Sequence, residues 1–237
     1  MNSKITVREL KPINIEGGYL IDGLPSVGLT SAIATQSMIH TTQFDMVGIL
    51  DSERFPPVSI IHDESPNFPA RIFVNNDLKV AVFSSFLMIE ASLHRDAAKM
   101  MLDWAKNHKC SLLISSSPVK SENDNYSVMG IASTAEAKKK LKDAGIPIMG
   151  QGTIPGIPGL LLNEGSISHI NVIVLLFSTS GKRPDFKSSA QLCMAMSKLV
   201  PGTACDITSL QQEAEKAEHE IKEADKETKL LKDTMYG

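Results

Sequence analysis

Apolar and β-branched residues fall along this chain in short, dense runs bounded by turn residues, at 17–21, 44–50, 58–61, 71–74, 79–83, 111–115 and 171–177. Runs of this length and composition predict strands. Several are apolar almost without interruption, which suits strands covered on both faces better than the alternation of a one-sided sheet. Between them the apolar residues return every three or four positions, predicting helices over 27–39, 90–108, 134–144 and 185–199. The third opens on a capping-box pattern, Ser133 to Glu136, and closes on Gly145 and Pro147. The pair Asn75-Asn76 between two predicted strands reads as a hairpin turn, so part of the sheet is expected to be antiparallel. The expected fold is α/β: a mixed β-sheet flanked by helices on both sides.

After Pro201-Gly202 the pattern changes. Ile207, Leu210, Ala214, Ala217, Ile221, Ala224, Thr228, Leu231 and Met235 follow at spacings of three and four, a heptad seam sustained for about four heptads. Glu218/Lys222 and Asp225/Lys229 add opposite-charge pairs one turn apart. At ~1.5 Å per residue the stretch from Ile207 to Leu231 spans roughly 36 Å if helical. Two arrangements satisfy such a seam: an amphipathic helix lying back on its own domain, or a bundle with sister subunits. The small alanines on the seam make an autonomous zipper weak. The chain thus divides into an α/β body at 1–202, a helical stalk at 203–234 and a terminal tripeptide at 235–237.

Composition narrows the function. With 42% hydrophobic and 22% charged residues in 237, the chain can bury a sizeable core, and no run approaches a membrane span. The start lacks the apolar core of a secretory signal, so a cytoplasmic protein with no membrane partner is expected. Net charge is −3. The segment from Asp206 onward carries nine acidic and five basic residues, leaving the body close to neutral. Nucleic acid is therefore an unpromising partner, since its binding rests on phosphate neutralisation.

Candidate chemistry is sparse. The histidines (His40, His62, His94, His108, His169, His219) never fall in an H-x-H or H-x-x-x-H pair, and no metal or other cofactor is expected. Cys110, Cys193 and Cys205 are odd in number and far apart, and read as reduced, mostly buried residues. Gly23-Leu24-Pro25-Ser26-Val27-Gly28, between a strand and a helix, has neither the third glycine of a dinucleotide fingerprint nor the Gly-Lys-Ser/Thr of a P-loop; a tight turn permitting close packing is the better reading. The loop 150–159, with Pro155-Gly156 and Pro158-Gly159, is stiffened by its Pro-Gly pairs, and a helix is expected to open just beyond it at Leu160-Leu161-Leu162. Ser84-Ser85 and Ser115-Ser116-Ser117 at strand ends lack a nucleophile-elbow frame. The ending Met235-Tyr236-Gly237 differs in kind, because a chain end offers a carboxylate, and capture of such a carboxylate is a recurring recognition mode.

Gly23-Leu24-Pro25-Ser26-Val27-Gly28-Leu29, Gly156-Ile157-Pro158-Gly159-Leu160-Leu161-Leu162-Asn163-Glu164 and Arg183-Pro184-Asp185, followed by a long charged helix, together resemble the proteasome assembly chaperone 2 family, especially its archaeal members. The resemblance covers nearly the whole chain. It implies a core like that of purine nucleoside phosphorylases, self-assembly into a homo-oligomer, and no catalytic residue. It also implies that Met235, Tyr236 and Gly237 match a hydrophobic-tyrosine-any tail that enters pockets between 20S proteasome α-subunits. This chain departs from the family in having Ser26 where glycine is usual and no aromatic at Leu24. The competing expectation is an enzyme acting on a nucleoside or small carboxylate, since phosphorylase-like folds host such chemistry and some relatives' names allude to ATP-grasp ligases.

Overall fold

The structure is a computed structural model. It describes residues 5–26, 29–62, 64–119, 128–179 and 185–206, together with Leu210, His219, Lys222, Glu223 and Lys226.

Among the described residues, the strands and α-helices follow in the order β1 (Thr6–Glu9), β2 (Tyr19–Gly23), α1 (Thr30–Thr41), β3 (Asp45–Asp51), β4 (Ile60–His62), β5 (Ser65–Asn67), β6 (Ala70–Asn75), β7 (Val80–Ser85), α2 (His94–Asn107), β8 (Leu112–Val119), β9 (Met129–Ala132), α3 (Ala135–Asp143), α4 (Gly156–Ile167), β10 (Val172–Ser178) and α5 (Phe186–Leu199). Eight strands form one mixed sheet in the order β1-β3-β6-β7-β2-β8-β10-β9, and β4 pairs with β5 apart from it. The centre is parallel, with β2 between β7 and β8 and β10 beyond β8. Both flanks are antiparallel.

The apolar runs of β2, β7, β8 and β10 are explained by cover on both faces. Leu20, Phe83, Leu113 and Val174 lie in one buried cluster with α2 and α4 residues such as Met101, Trp104 and Leu161. Their neighbours Ile21, Val82, Ile114 and Leu175 lie in another, with Met38 of α1, Leu141 of α3 and Leu192 of α5. Alternate side chains therefore point to opposite layers, as the period of a strand requires. On the first face Phe83 meets Trp104 edge-on at 5.0 Å, and Glu9 Oε1 accepts from Trp104 Nε1 at 2.9 Å, fastening the edge strand β1 to α2.

Several local expectations need correction. α3 is capped by Thr134, whose Oγ1 accepts from Ala137 N at 3.1 Å. Ser133 is instead committed to β10's approach, donating to Ile170 O and accepting from Val172 N, so it cannot cap. The β6–β7 hairpin turns through four residues, 76–79, with Lys79 at φ 56°, rather than on Asn75-Asn76 alone. Asn75 Oδ1 accepts from Leu78 N, the side chain supplying the turn's bond. α4 opens inside the Pro-Gly loop, at Gly156, rather than after it. Pro158 sits in its first turn, where an amide hydrogen has no intrahelical partner to lose. The most consequential correction concerns the thiols: Cys193 and Cys205 form a disulfide, and only Cys110 is free. Twelve residues apart and without a C-x-x-C frame, the pair gives no local signal. The turn at Pro201-Gly202, with Gly202 at φ +85°, brings them together.

Candidate functional site

Four parallel strands end along one edge of the sheet, the place where open α/β sheets commonly bind ligands. Here that edge is polar. Asp22, next to last in β2, is buried. Its Oδ2 accepts from Ser115 Oγ at 2.6 Å and its Oδ1 from Leu24 N at 3.1 Å. Burial pushes the Asp22 carboxyl above its ordinary range, against the pull of those two hydrogen bonds. A second network joins Ser26 Oγ, Ser31 Oγ and Ser116 Oγ at 2.7 and 2.6 Å, and Gln36 Nε2 donates to Ser84 Oγ at 2.8 Å.

The two networks do not converge. Asp22 and Ser115 point with Leu20 and Leu113 toward α2 and α4, whereas Ser116 and Ser84 point with Ile114 and Val82 toward α1. The serines that sequence reasoning flagged at strand ends are thus divided by the sheet. They anchor the turn after β2 and seat α1. Among the described residues, no group of three His, Cys, Asp or Glu is placed to hold a metal ion. Burial pushes the Cys110 thiol up to about 12, so it stays protonated and unreactive at neutral pH.

The glycine motifs occupy close approaches. A Cβ on Gly23 would lie 2.6 Å from Thr35 Oγ1 and 2.9 Å from Phe83 O, so α1 rests on β2 at a distance only glycine allows. Pro25 is half-buried in the turn that follows. Gly156 has φ +72°, next to the extended Pro155, and Pro158 is half-buried. A Cβ on Gly159 would lie 2.1 Å from Ile154 O. Gly28, Arg183 and Pro184 lie outside the described residues.

Beyond α5 the chain runs back over the α1–α5 pair. Thr203 is buried, Ala204 N donates to Thr42 Oγ1 at 3.3 Å at the end of α1, and Cys205 is bonded to Cys193 midway along α5. Leu210 then packs with Ile33 of α1 and with Phe186 and Ala190 at the start of α5. This return explains why α1 is buried on nearly all sides. Of the seam, only Leu210 falls among the described residues; Ile207, Ala214, Ala217, Ile221, Ala224 and Leu231, and the tail Met235, Tyr236 and Gly237, lie outside them. His219, Lys222, Glu223 and Lys226 are helical and exposed. Among the described residues no helix is long and apolar enough to cross a membrane.

Sequence reasoning missed Asp22, which falls one residue past the predicted strand 17–21 and was given no role. Its only signal was a charged residue closing an otherwise apolar run, just before Gly23.

Comparison with known proteins supplies what the edge does not. The PAC2 family model matches residues 20–225. PbaA of Pyrococcus furiosus, whose crystal structure is described as that of an archaeal homolog of proteasome-assembly chaperone, is similar with a TM-score of 0.80 and 27% identity, over 96% of this chain and 100% of that one. PbaB of the same organism, described as an archaeal proteasome activator, shares the fold with a TM-score of 0.72 and 19% identity, over 94% and 99%. An uncharacterized protein of Methanocaldococcus jannaschii is 26% identical over 224 residues, 94% of this chain and 92% of its own length.

Proposed function

This chain belongs to the PAC2 family, and from that membership we propose that it is a proteasome assembly chaperone or 20S-docking factor that binds the α-ring through its C-terminal residues. The observation that carries the reading is the full-length similarity to PbaA, joined to an ending, Met235-Tyr236-Gly237, of hydrophobic-tyrosine-any type. The body at 1–202, with its phosphorylase-like core, is the folded platform. In the segment 203–234, residues 203–206 tie the chain to the body and the remainder is the proposed helical stalk, with 235–237 the docking tail. With Leu210 engaged on the chain's own body, self-association through Ile207, Ala214, Ala217, Ile221, Ala224 and Leu231 presents several tails at once, in the cytoplasm and without a cofactor.

The physical case rests on the carboxylate and the ring. A terminal carboxylate in a partly desolvated pocket gains a charge-assisted hydrogen bond from a lysine, worth about 1.5–3 kcal/mol, so one tail alone binds weakly. Tyr236 adds an amphipathic ring with a hydroxyl for the pocket rim. Several tails on one oligomer raise avidity by roughly 10²–10⁴ where their spacing fits.

The alternative, a nucleoside- or carboxylate-acting enzyme, needs convergent groups. Asp22–Ser115 and Ser26–Ser31–Ser116 face opposite sides of the sheet, which weighs against it. A pull-down from native lysate, comparing the full chain with one ending at Thr234, tests the proposal. Proteasome α-subunits should be retained by the full chain and lost from the shortened one; equal recovery contradicts docking by the tail.

A further inference from the structure

The Cys193–Cys205 disulfide sits where the body hands over to the C-terminal segment. It moors the returning chain together with the Ala204–Thr42 hydrogen bond and the burial of Leu210 against Ile33. The two sulfurs differ in environment. Cys193 is fully buried among Leu192, Met196 and Phe177, whereas Cys205 is half-buried at the edge of the same cluster. Ser197 Oγ lies 3.2 Å from Cys205 Sγ, and because a disulfide sulfur has no proton, the hydroxyl donates. Thr203 Oγ1 in turn lies 3.4 Å from Ser197 Oγ. The accessible sulfur thus faces a hydroxyl able to stabilise charge on it.

We propose that Cys193–Cys205 is a redox-set latch on the root of the C-terminal segment, closed by oxidation and opened by a cellular dithiol. The thiolate of the dithiol attacks Cys205 Sγ, the S–S bond breaks, and Cys193 leaves and takes up a proton. The second thiol of the reductant then closes its own disulfide and releases Cys205 as a thiol. Two electrons pass from the dithiol to the protein, and an oxidised dithiol reverses the exchange. Opening removes the covalent mooring and leaves the root to the non-covalent contacts of 203–206 and Leu210, among them the Ala204–Thr42 hydrogen bond, the buried Thr203 and the burial of Leu210. The consequence for tail presentation rests on the docking function proposed above; the latch itself does not.

Hydrogen exchange on the full chain reads the latch directly. Non-reducing peptide mapping should recover the Cys193 and Cys205 peptides linked. Reduction by dithiothreitol, and separately Cys205→Ser, should raise exchange in 200–210 by about tenfold or more while α2 and β8 keep their protection, and should lower Tm by roughly 5–10 °C. Cys110→Ser should change neither. Thiols at both positions that do not join when the protein is treated with an oxidised dithiol, or unchanged exchange in 200–210 after reduction, would overturn the latch. α-Ring binding is measured on the same samples, beside Tyr236→Ala. If exchange rises but binding survives both reduction and Tyr236→Ala, tail docking fails and the latch stands. If Tyr236→Ala abolishes binding and reduction leaves it unaltered, the latch's control of the tail is overturned.

Discussion

Leu210 is buried against Ile33, so the seam that looked made for sister subunits begins on the chain's own body. Leu210 also packs on Phe186 and Ala190 at the start of α5. Truncating Leu210 to alanine should therefore lower stability by about 2–3 kcal/mol in urea melts, the cost of emptying a buried leucine site. A change under about 0.5 kcal/mol would mean the segment is not held there in solution.

The rest of the seam lies outside the described residues, and its proposed role is self-association. Multi-angle light scattering at micromolar concentration should give several multiples of the 25.7 kDa chain mass. A monomer would instead place the whole helix back on its own domain.

Asp22 sets a pH dependence whose sign can be worked out. Its folded pKa is raised by burial, so the folded state holds the proton more tightly than the unfolded one. Stability is then greatest below the ordinary carboxyl range and falls as pH rises through the raised value. Asp22→Asn, which can still accept from Leu24 N, should remove this decline; Asp22→Ala should cost about 1–3 kcal/mol by orphaning that amide. Chemical denaturation between pH 4 and 8 checks both, and an Asn variant with the parent's pH profile would contradict the assignment.

Gly23→Val should destabilise the protein by about 1–3 kcal/mol or more, because its branched side chain meets Thr35 and a backbone carbonyl of β7. The thermal midpoint measures this, and wild-type stability would show that α1 does not approach β2 so closely.

The central strands and the helices beside them were legible because each side chain's layer repeats with the period of its own element. The edges were not. β1 is Thr-Val-Arg-Glu, mostly exposed, and offers no apolar run, while β9 is apolar but holds only the four residues Met129–Ala132. β5 contains Pro66, which argues against a strand except at an edge. Contacts across long separations were hidden for another reason. Asp22 and Ser115 are 93 residues apart, and only the parallel pairing of β2 with β8 brings them together. The Cys193–Cys205 bond likewise needs the turn at 201–202. The proposed docking tail rests on the sequence and the resemblance, because Met235, Tyr236 and Gly237 lie outside the described residues.

That tail carries the central claim, and surface plasmon resonance on immobilised 20S particles tests it most directly. Full-length protein should bind with an avidity that Tyr236→Ala, or one residue added after Gly237, reduces at least 100-fold, with secondary structure and oligomer size unchanged. If both variants bind as tightly as the parent, the tail is not the anchor and the contact must lie on the α/β body.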